Sequence, residues 1–569
     1  MTMNYLGVSG IPGLQQQYID DNEITDYKDA RIVQGLDSAA ALISNQRIIF
    51  SSAEERFSGE KGTGKFPFKA INKALEYGAI KVGDITKLGW SFDYRKVPTS
   101  FLGRYAPFYD QRNIINVFNQ LISGSENIAV VPVNHHYAHG LSTAIMSGYE
   151  RALTIVADGM GELVSLSIYQ FDAAELNLIH AYPISKSIGI LYSIITRFLG
   201  FCFNQDEYKV MGMAAYGTHD YVAKFRELIS FNDGKIKLNV KFNYADDPFY
   251  HRTFADISEH FSLERPLKNG KLEDQHFALA ASLQTVIESV MLDLCNYWMK
   301  KTDNKRLCGA GGVFLNCLLN QKIADQLKLD AFFVQPAAGD DGAALGAALA
   351  LMPVAERSIG NKQFDPYLGQ SWSRDEIEAT LKKSGLNFKY MGYDDIRQSA
   401  ATALNAGSVI AWFCGRTEHG PRALGNRSIL AHPGWPGIKD IINEKIKFRE
   451  LFRPFAPAVL EEHASEYFIF EKTDLCYYML QTAVVIEEQR KKLSGVVHKD
   501  GTARIQLVND NLNSQFYQLI KAFQQQSQLP CLLNTSFNTS GQPLINDPIT
   551  AVETFKRTQL DALFIEEFM

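Results

Sequence analysis

Leu153-Thr154-Ile155-Val156-Ala157-Asp158-Gly159, followed by Leu163-Val164-Ser165-Leu166-Ser167-Ile168-Tyr169, reads as two β-strands with an acid at the end of the first. Short runs rich in β-branched residues and broken by Asp-Gly are a hairpin signal. The theme occurs earlier as well. Gly35-Leu36-Asp37-Ser38-Ala39-Ala40-Ala41-Leu42-Ile43, an Asn45-Gln46 turn and Arg47-Ile48-Ile49-Phe50 read as a hairpin opening on Asp37. Two such hairpins, each followed by helical segments, predict a diverged internal duplication: two related α/β lobes facing one cleft. An acid at a strand end beside small residues lets a phosphate or a metal approach the backbone closely.

Just before the second hairpin lies Asn134-His135-His136-Tyr137-Ala138-His139. On a helix, residues four apart share a face, so His135 and His139 can offer two imidazole nitrogens to one cation while Asp158 supplies an oxygen. His136 points to another face and reads as a supporting group.

At 569 residues the chain exceeds one core, and the usual ~100–200 residues per domain predicts three or four units fused into fewer domains. With 46% hydrophobic and 21% charged residues, no apolar run reaches the ~18–20 residues of a bilayer span, so no membrane insertion is expected. The N-terminus lacks a basic region followed by a long apolar one, which predicts a cytoplasmic protein. Seven cysteines are scattered singly without a C-x-x-C pair, which favours reduced, buried thiols. The formal charge of −6 argues against a dominant nucleic-acid surface.

Two glycine-rich junctions follow. Leu307-Cys308-Gly309-Ala310-Gly311-Gly312-Val313-Phe314-Leu315-Asn316 turns from a strand into a helix carrying Asn320, where bare backbone N–H groups can face a nucleotide. Phe332 to Gly342 repeats the arrangement with acids at the turn. Residues 353–372 read as a connection, which sets the domains at 1–355 and 366–569. The second domain is expected to carry helices near 374–384 and 438–447 and strands at 408–413, 503–508 and 529–533.

Between Arg416 and Arg453 eight Lys or Arg residues face four acids, a local excess that calls for an anion. Arginines interleaved with Gly and Pro in Gly415 to Ser428 offer forked donors suited to phosphate. Phe448, Phe452, Pro454, Phe455 and Pro457 surround the later cations and partly desolvate them. Asn534, Ser536 and Asn538, at a strand end, complete a small-phosphate or nucleotide pocket.

Taken in order, Asp37-Ser38-Ala39-Ala40, Glu54-Glu55-Arg56-Phe57, His135-His136-x-x-His139, Asp158-Gly159, Glu207-Tyr208-Lys209-Val210-Met211-Gly212, Gly311-Gly312-Val313-x-Leu315-Asn316, Gly339-Asp340, Gly420-Pro421-Arg422-Ala423-Leu424-Gly425, Arg453-Pro454-Phe455-Ala456-Pro457 and Asn534-Thr535-Ser536-Phe537-Asn538 resemble the O-carbamoyltransferase family of natural-product and nodulation-factor biosynthesis. The resemblance spans nearly the whole chain. It implies an α/β architecture: an N-terminal domain like the tRNA threonylcarbamoyl-transferase, of the actin and sugar-kinase fold, and a C-terminal domain like threonylcarbamoyl-adenylate synthase.

The resemblance also implies two coupled reactions, in which carbamoyl phosphate and ATP give carbamoyl adenylate and pyrophosphate, and the carbamoyl group then passes to a hydroxyl of a small acceptor. The metal ligands it implies are His135, His139, Asp158 and Asp340, and the metal Fe2+; the His/carboxylate mixture itself suits Zn2+, Fe2+ or Mn2+ equally. ATP would enter with Mg2+. Gly311, Gly312 and Asn316 would contact the adenylate, with Glu207 and Lys209 lining that pocket and Lys61 near the acceptor or carbamoyl group. Arg416, Arg422, Lys445, Arg449, Arg453, Arg504, Asn534 and Ser536 would hold ATP and carbamoyl phosphate. A homodimer is the oligomeric expectation.

One departure stands out. Many relatives carry His-Asp where this chain has Leu36-Asp37, and leucine takes no proton, so either Asp37 deprotonates the acceptor, or another base enters from elsewhere, or the acceptor's own chemistry supplies it. The acidic stretch Gly10 to Lys28 reads either as a surface loop or as the wall of a pocket for a cationic acceptor. Competing readings are a tRNA threonylcarbamoyl-type transferase or sugar-kinase relative, and a non-catalytic ATP-binding module with a structural metal.

Overall fold

The computed structural model describes residues 3–240, 247, 249–266, 270–357 and 363–569. Gly360, Asn361 and Lys362 of the expected connection lie outside the described residues. The chain forms two units: Met1–Glu55 with Gly62–Phe364, and Arg56–Lys61 with Asp365–Met569. A linear division at 355–366 therefore misses the segment Arg56–Lys61, which packs with the C-terminal unit.

The first unit is a duplicated α/β structure. Its first sheet runs Arg47–Ala53, Ala39–Ser44, Asn4–Ser9, Lys87–Trp90, Val130–Pro132, and its second runs Glu175–Pro183, Val164–Asp172, Arg151–Gly161, Arg306–Ala310, Ala331–Val334. Numbered within each repeat, both have the order 3-2-1-4-5, with the first three strands antiparallel and the last two parallel to the first. That is the strand order of the actin and sugar-kinase fold.

The register of the duplication differs from the sequence reading by one strand. The hairpin beginning after Asp37 is strands two and three of its repeat, whereas Leu153–Tyr169 is strands one and two. The strand Asn4–Ser9, buried at all six positions, escaped because a 29-residue excursion from Gly10 to Ser38 replaces the tight turn at Glu162-Leu163 that joins the matching strands of the second repeat. The stretch Gly10 to Lys28 carries the helix Leu14–Asp21.

Each repeat closes with a helix that lies on the other repeat's sheet. His135–Met146 packs on the second sheet, Thr143 donating to the Gly309 carbonyl at 2.9 Å, and nearly all of it is buried. Asp340–Ala350 packs on the first, so closely that a Cβ on Gly7 would fall 2.0 Å from the Ala344 oxygen. The two helices cross each other through Ala138, Ala343 and Ala347, and a Cβ on Gly346 would lie 1.8 Å from the Ala138 oxygen. Small residues thus permit the crossing that brings the N-termini of both helices together.

The helix Asp274–Thr302, 29 residues, is the one helix among the described residues long and apolar enough to cross a membrane by length and composition, which the sequence reading did not foresee. Sixteen of its side chains are buried inside the first unit. All seven cysteines are buried thiols outside any disulfide.

The second unit is built on a six-stranded mixed sheet in the order Gln506–Val508, Ala456–Leu460, Cys531–Ser536, Arg427–Ala431, Ile410–Phe413, Ala562–Ile565. The helix Arg374–Ser384 starts at a capping box formed by Ser373 and Glu376. The expected helix at 438–447 is a short α-helix, Ile438–Ile442, continued by a π-turn, Asn443–Lys447. The strand expected at 529–533 begins two residues later and extends to Ser536, so that it includes Asn534 and Ser536.

Candidate functional site

The four residues of the implied metal set converge, placed by three local devices. His135 and His139 lie one turn apart at the start of a helix capped by Asn134, whose Oδ1 accepts the Tyr137 N–H at 3.0 Å. Asp158 sits where the ladder between Arg151–Gly161 and Val164–Asp172 slips between Ala157 and Gly161, a bulge that turns its side chain out of the regular alternation. Asp340 occupies the first turn of its helix. The nearest donor atoms of the four lie within 4.8 Å of one another. His135 Nε2 is 3.1 Å from His139 Nε2, 3.5 Å from Asp158 Oδ2 and 3.4 Å from Asp340 Oδ1, and His139 Nε2 is 3.4 Å from the same Asp340 oxygen.

The chemistry of this donor set fits a divalent cation. His135 Nδ1 lies 3.0 Å from the Ser91 carbonyl, which only accepts, so Nδ1 carries the hydrogen and Nε2 presents a lone pair. The Phe92 ring stacks on the same imidazole at 4.4 Å and 9°. Two lone pairs and two carboxylates crowded together repel one another unless positive charge joins them. Without a metal that charge comes from protons: burial alone would depress His135, yet Asp340 and Asp158 drive it well above the usual histidine value. Burial alone would raise Asp158 and Asp340, and the histidines hold both below the ordinary carboxylate range. The histidines are sealed from solvent while the Asp340 side chain is 22% exposed, so the cluster is open on its carboxylate side, as a site with a free coordination position requires. His136 faces away, its Nδ1 2.8 Å from Ser167 Oγ, and burial pushes it down to about 3.

Gly311 and Gly312 adjoin this cluster. The Gly312 N–H donates to Asp158 Oδ1 at 3.0 Å and the Gly311 N–H to the Ala338 carbonyl at 2.8 Å, so both bind the protein itself, and Gly312 orients a member of the metal set. Gly311 has a φ of 87° and would press a Cβ within 2.3 Å of the Ala157 oxygen. Asn316 caps the helix Cys317–Gln326 and exchanges two amide hydrogen bonds with Gln284. Lys209 pairs with Asp206 at 3.1 Å, whereas Glu207 accepts from Ser193 Oγ at 2.6 Å.

In the second unit the centre of the basic set is Lys447, which the sequence reading counted among eight cations but did not choose. It is 3% exposed, and its ammonium meets the Ser536 carbonyl at 2.6 Å, Asn538 Oδ1 at 2.6 Å, the Asn538 carbonyl at 3.0 Å and Ser536 Oγ at 3.2 Å. Burial, then Arg449, Arg453 and Lys61, push its pKa well down, which places all three cations around it. Arg449 is fixed by Asn443 Oδ1 at 2.8 Å and stacks on Phe455. Arg416 donates to the Leu368 and Gly369 carbonyls and so braces the start of this unit. Lys445 is exposed, Arg422 and Arg504 are half-buried, and Asn534 is tied to Gln506 at 2.8 Å. The Gly420–Gly425 loop is folded around Glu418, whose Oε1 accepts the N–H groups of Leu424, Asn426 and Arg427.

Residues 100–349 match the family model described as the carbamoyltransferase N-terminus and residues 401–569 that of the carbamoyltransferase C-terminus. The chain belongs to the carbamoyltransferase family. It is 34% identical to nodulation protein NolNO of Sinorhizobium fredii, over 94% of this chain and 78% of the relative. It is 37% identical to nodulation protein NolO of Bradyrhizobium diazoefficiens, over 77% and 78%, and 27% identical to the 3'-hydroxymethylcephem-O-carbamoyltransferase of Streptomyces clavuligerus, over 90% and 93%.

Asp37 and Lys61, the two candidate catalytic residues of this carbamoyltransferase, fall in different units. Asp37 belongs to the first, at a φ of 53° and 3.9 Å from the buried guanidinium of Arg31. Lys61 belongs to the second, among the cations around Lys447. In the acidic stretch, Asp21 pairs with Arg104 and Asp26 with Arg197, which reduces the charge it could offer a cationic acceptor.

Proposed function

We propose that this carbamoyltransferase is an ATP-dependent O-carbamoyltransferase acting on a hydroxyl of a small molecule. In the second unit water would take the phosphoryl group of carbamoyl phosphate as orthophosphate, and the oxygen of the carbamate so freed would attack the α-phosphorus of ATP, releasing pyrophosphate and leaving carbamoyl adenylate. Lys447, Arg449, Arg453 and Lys61 supply the positive charge that the leaving pyrophosphate demands. In the first unit the acceptor oxygen would attack the carbamoyl carbon and AMP would leave. Asp37 would take the acceptor proton, since the Leu36 side chain has no proton-accepting atom.

A divalent ion held by His135, His139, Asp158 and Asp340 supplies a Lewis acid without redox change. Gly312 holds Asp158 in register for that role, and the Ser91 carbonyl fixes the tautomer of His135. The observation that carries the reading is the convergence of these four side chains in a chain of this family. It also draws on the likeness to a relative named as an O-carbamoyltransferase. The test needs no acceptor: with labelled carbamoyl phosphate and ATP, the protein should release pyrophosphate and form labelled carbamoyl adenylate. Pyrophosphate release independent of carbamoyl phosphate, or no adenylate, would overturn it.

A further inference from the structure

Glu162 lies in the turn just after the Asp158 bulge, a non-glycine residue at a φ of 39° and only 5% exposed. Its carboxylate is surrounded by donors. Oε1 accepts the backbone N–H of His135 at 2.9 Å and that of Asp93 at 2.8 Å, and Oε2 accepts from Asn134 Nδ2 at 2.8 Å.

These three bonds join the two pieces of chain that orient His135. The His135 N–H and Asn134 belong to the start of the helix, where four backbone donors lack intrahelical partners. The Asp93 N–H belongs to the segment whose Ser91 carbonyl accepts from His135 Nδ1 and whose Phe92 ring stacks on the imidazole. Glu162 also decides which way the Asn134 amide points: with Nδ2 held by the carboxylate, Oδ1 is left to cap the Tyr137 N–H. A Cβ at neighbouring Gly161 would sit 2.6 Å from the His136 ring and 2.8 Å from that of His135, so the turn carrying Glu162 runs close beside both imidazoles and leaves room there only for glycine.

We propose that Glu162 is the positioning residue of the metal centre, a carboxylate that never touches the ion but fixes the ring plane, tautomer and helix start of His135. The inference rests on the metal reading of the His135, His139, Asp158 and Asp340 cluster. Outer partners of metal-bound imidazoles typically change affinity by ~10–100-fold, and Glu162 acts on three of the groups that set one imidazole.

The test is Co2+ titration of the full-length metal-free protein, followed by ligand-field absorption and by the rise in Tm that Co2+ produces. Glu162→Gln keeps the shape but places an NH2 against the Asn134 NH2, forcing one amide to turn. Co2+ affinity should fall by ~10–100-fold and the absorption bands should change. The double variant N134D/E162Q exchanges donor for acceptor: the new amide donates to the new carboxylate, whose other oxygen still caps Tyr137. Affinity and spectrum should return toward wild type. Wild-type affinity, spectrum and Co2+-induced Tm rise in E162Q would overturn the inference alone, marking Glu162 as a fold residue only, and failure of N134D/E162Q to recover would likewise count against it. Absence of Co2+ binding by the wild-type protein would overturn the metal reading and this inference with it.

Discussion

At the residue scale, Lys447 concentrates the case for an anion in the second unit. Four oxygens hold it, yet burial and three neighbouring cations act against its charge, a tension that a bound polyanion relieves. Lys447→Met should reduce carbamoyl-phosphate-dependent pyrophosphate release by on the order of 10²-fold. Metal binding in the first unit should be unaffected, and a pyrophosphate-release and metal-content pair of assays checks both. Asp37→Asn should do the reverse: adenylate formation retained, transfer to an acceptor hydroxyl down by ~10²–10⁴-fold, as loss of a general base predicts. The sequence disclosed the histidine pair because helix periodicity places residues four apart on one face. It did not disclose Lys447 over Lys445, because two residues of the same type on one turn differ only in burial, which the rest of the fold decides.

At the element scale, the site depends on two helices that approach to backbone contact. Gly346→Ala must push Asp340–Ala350 away from Ala138, and overpacking of this kind costs about 1–3 kcal/mol. The variant should show a lowered Tm and, more tellingly, a metal affinity reduced beyond what the stability loss explains, because Asp340 retreats from His135 and His139. Chemical denaturation and metal titration on the same preparation separate the two effects. The strands of both hairpins were legible, and so was the helix at Arg374–Ser384, whose capping box is a local signal. The pairing of the repeats was not, since the six-residue strand Asn4–Ser9 is separated from its partner by the excursion to Ser38. Asp340 is a similar case: its position beside residues about two hundred positions earlier comes from the helix crossing, and only the resemblance of Gly339-Asp340 to a family motif pointed to it.

At the scale of the whole molecule, two units each carry a buried, neutral histidine whose folded-state pKa lies far below its unfolded value: His136 in the first and His419 in the second, both pushed to about 3 by burial. Below an unfolded pKa of about 6.5 the unfolded chain takes up protons that the native state refuses, so stability falls as pH drops from about 6.5 toward 3. For His419 alone the full span corresponds to on the order of 4–5 kcal/mol. His419→Gln should shrink the difference in Tm between pH 7 and pH 5 measured by calorimetry; an unchanged difference would remove His419 from the account. The central claim is that one cation joins His135, His139, Asp158 and Asp340. The most direct measurement is the metal content per chain of protein purified without oxygen, compared with Asp340→Asn, by mass spectrometry of the elements. The account predicts about one transition-metal ion per wild-type chain and a large loss in the variant; a wild-type protein that binds none, or a variant that binds as much, would contradict it.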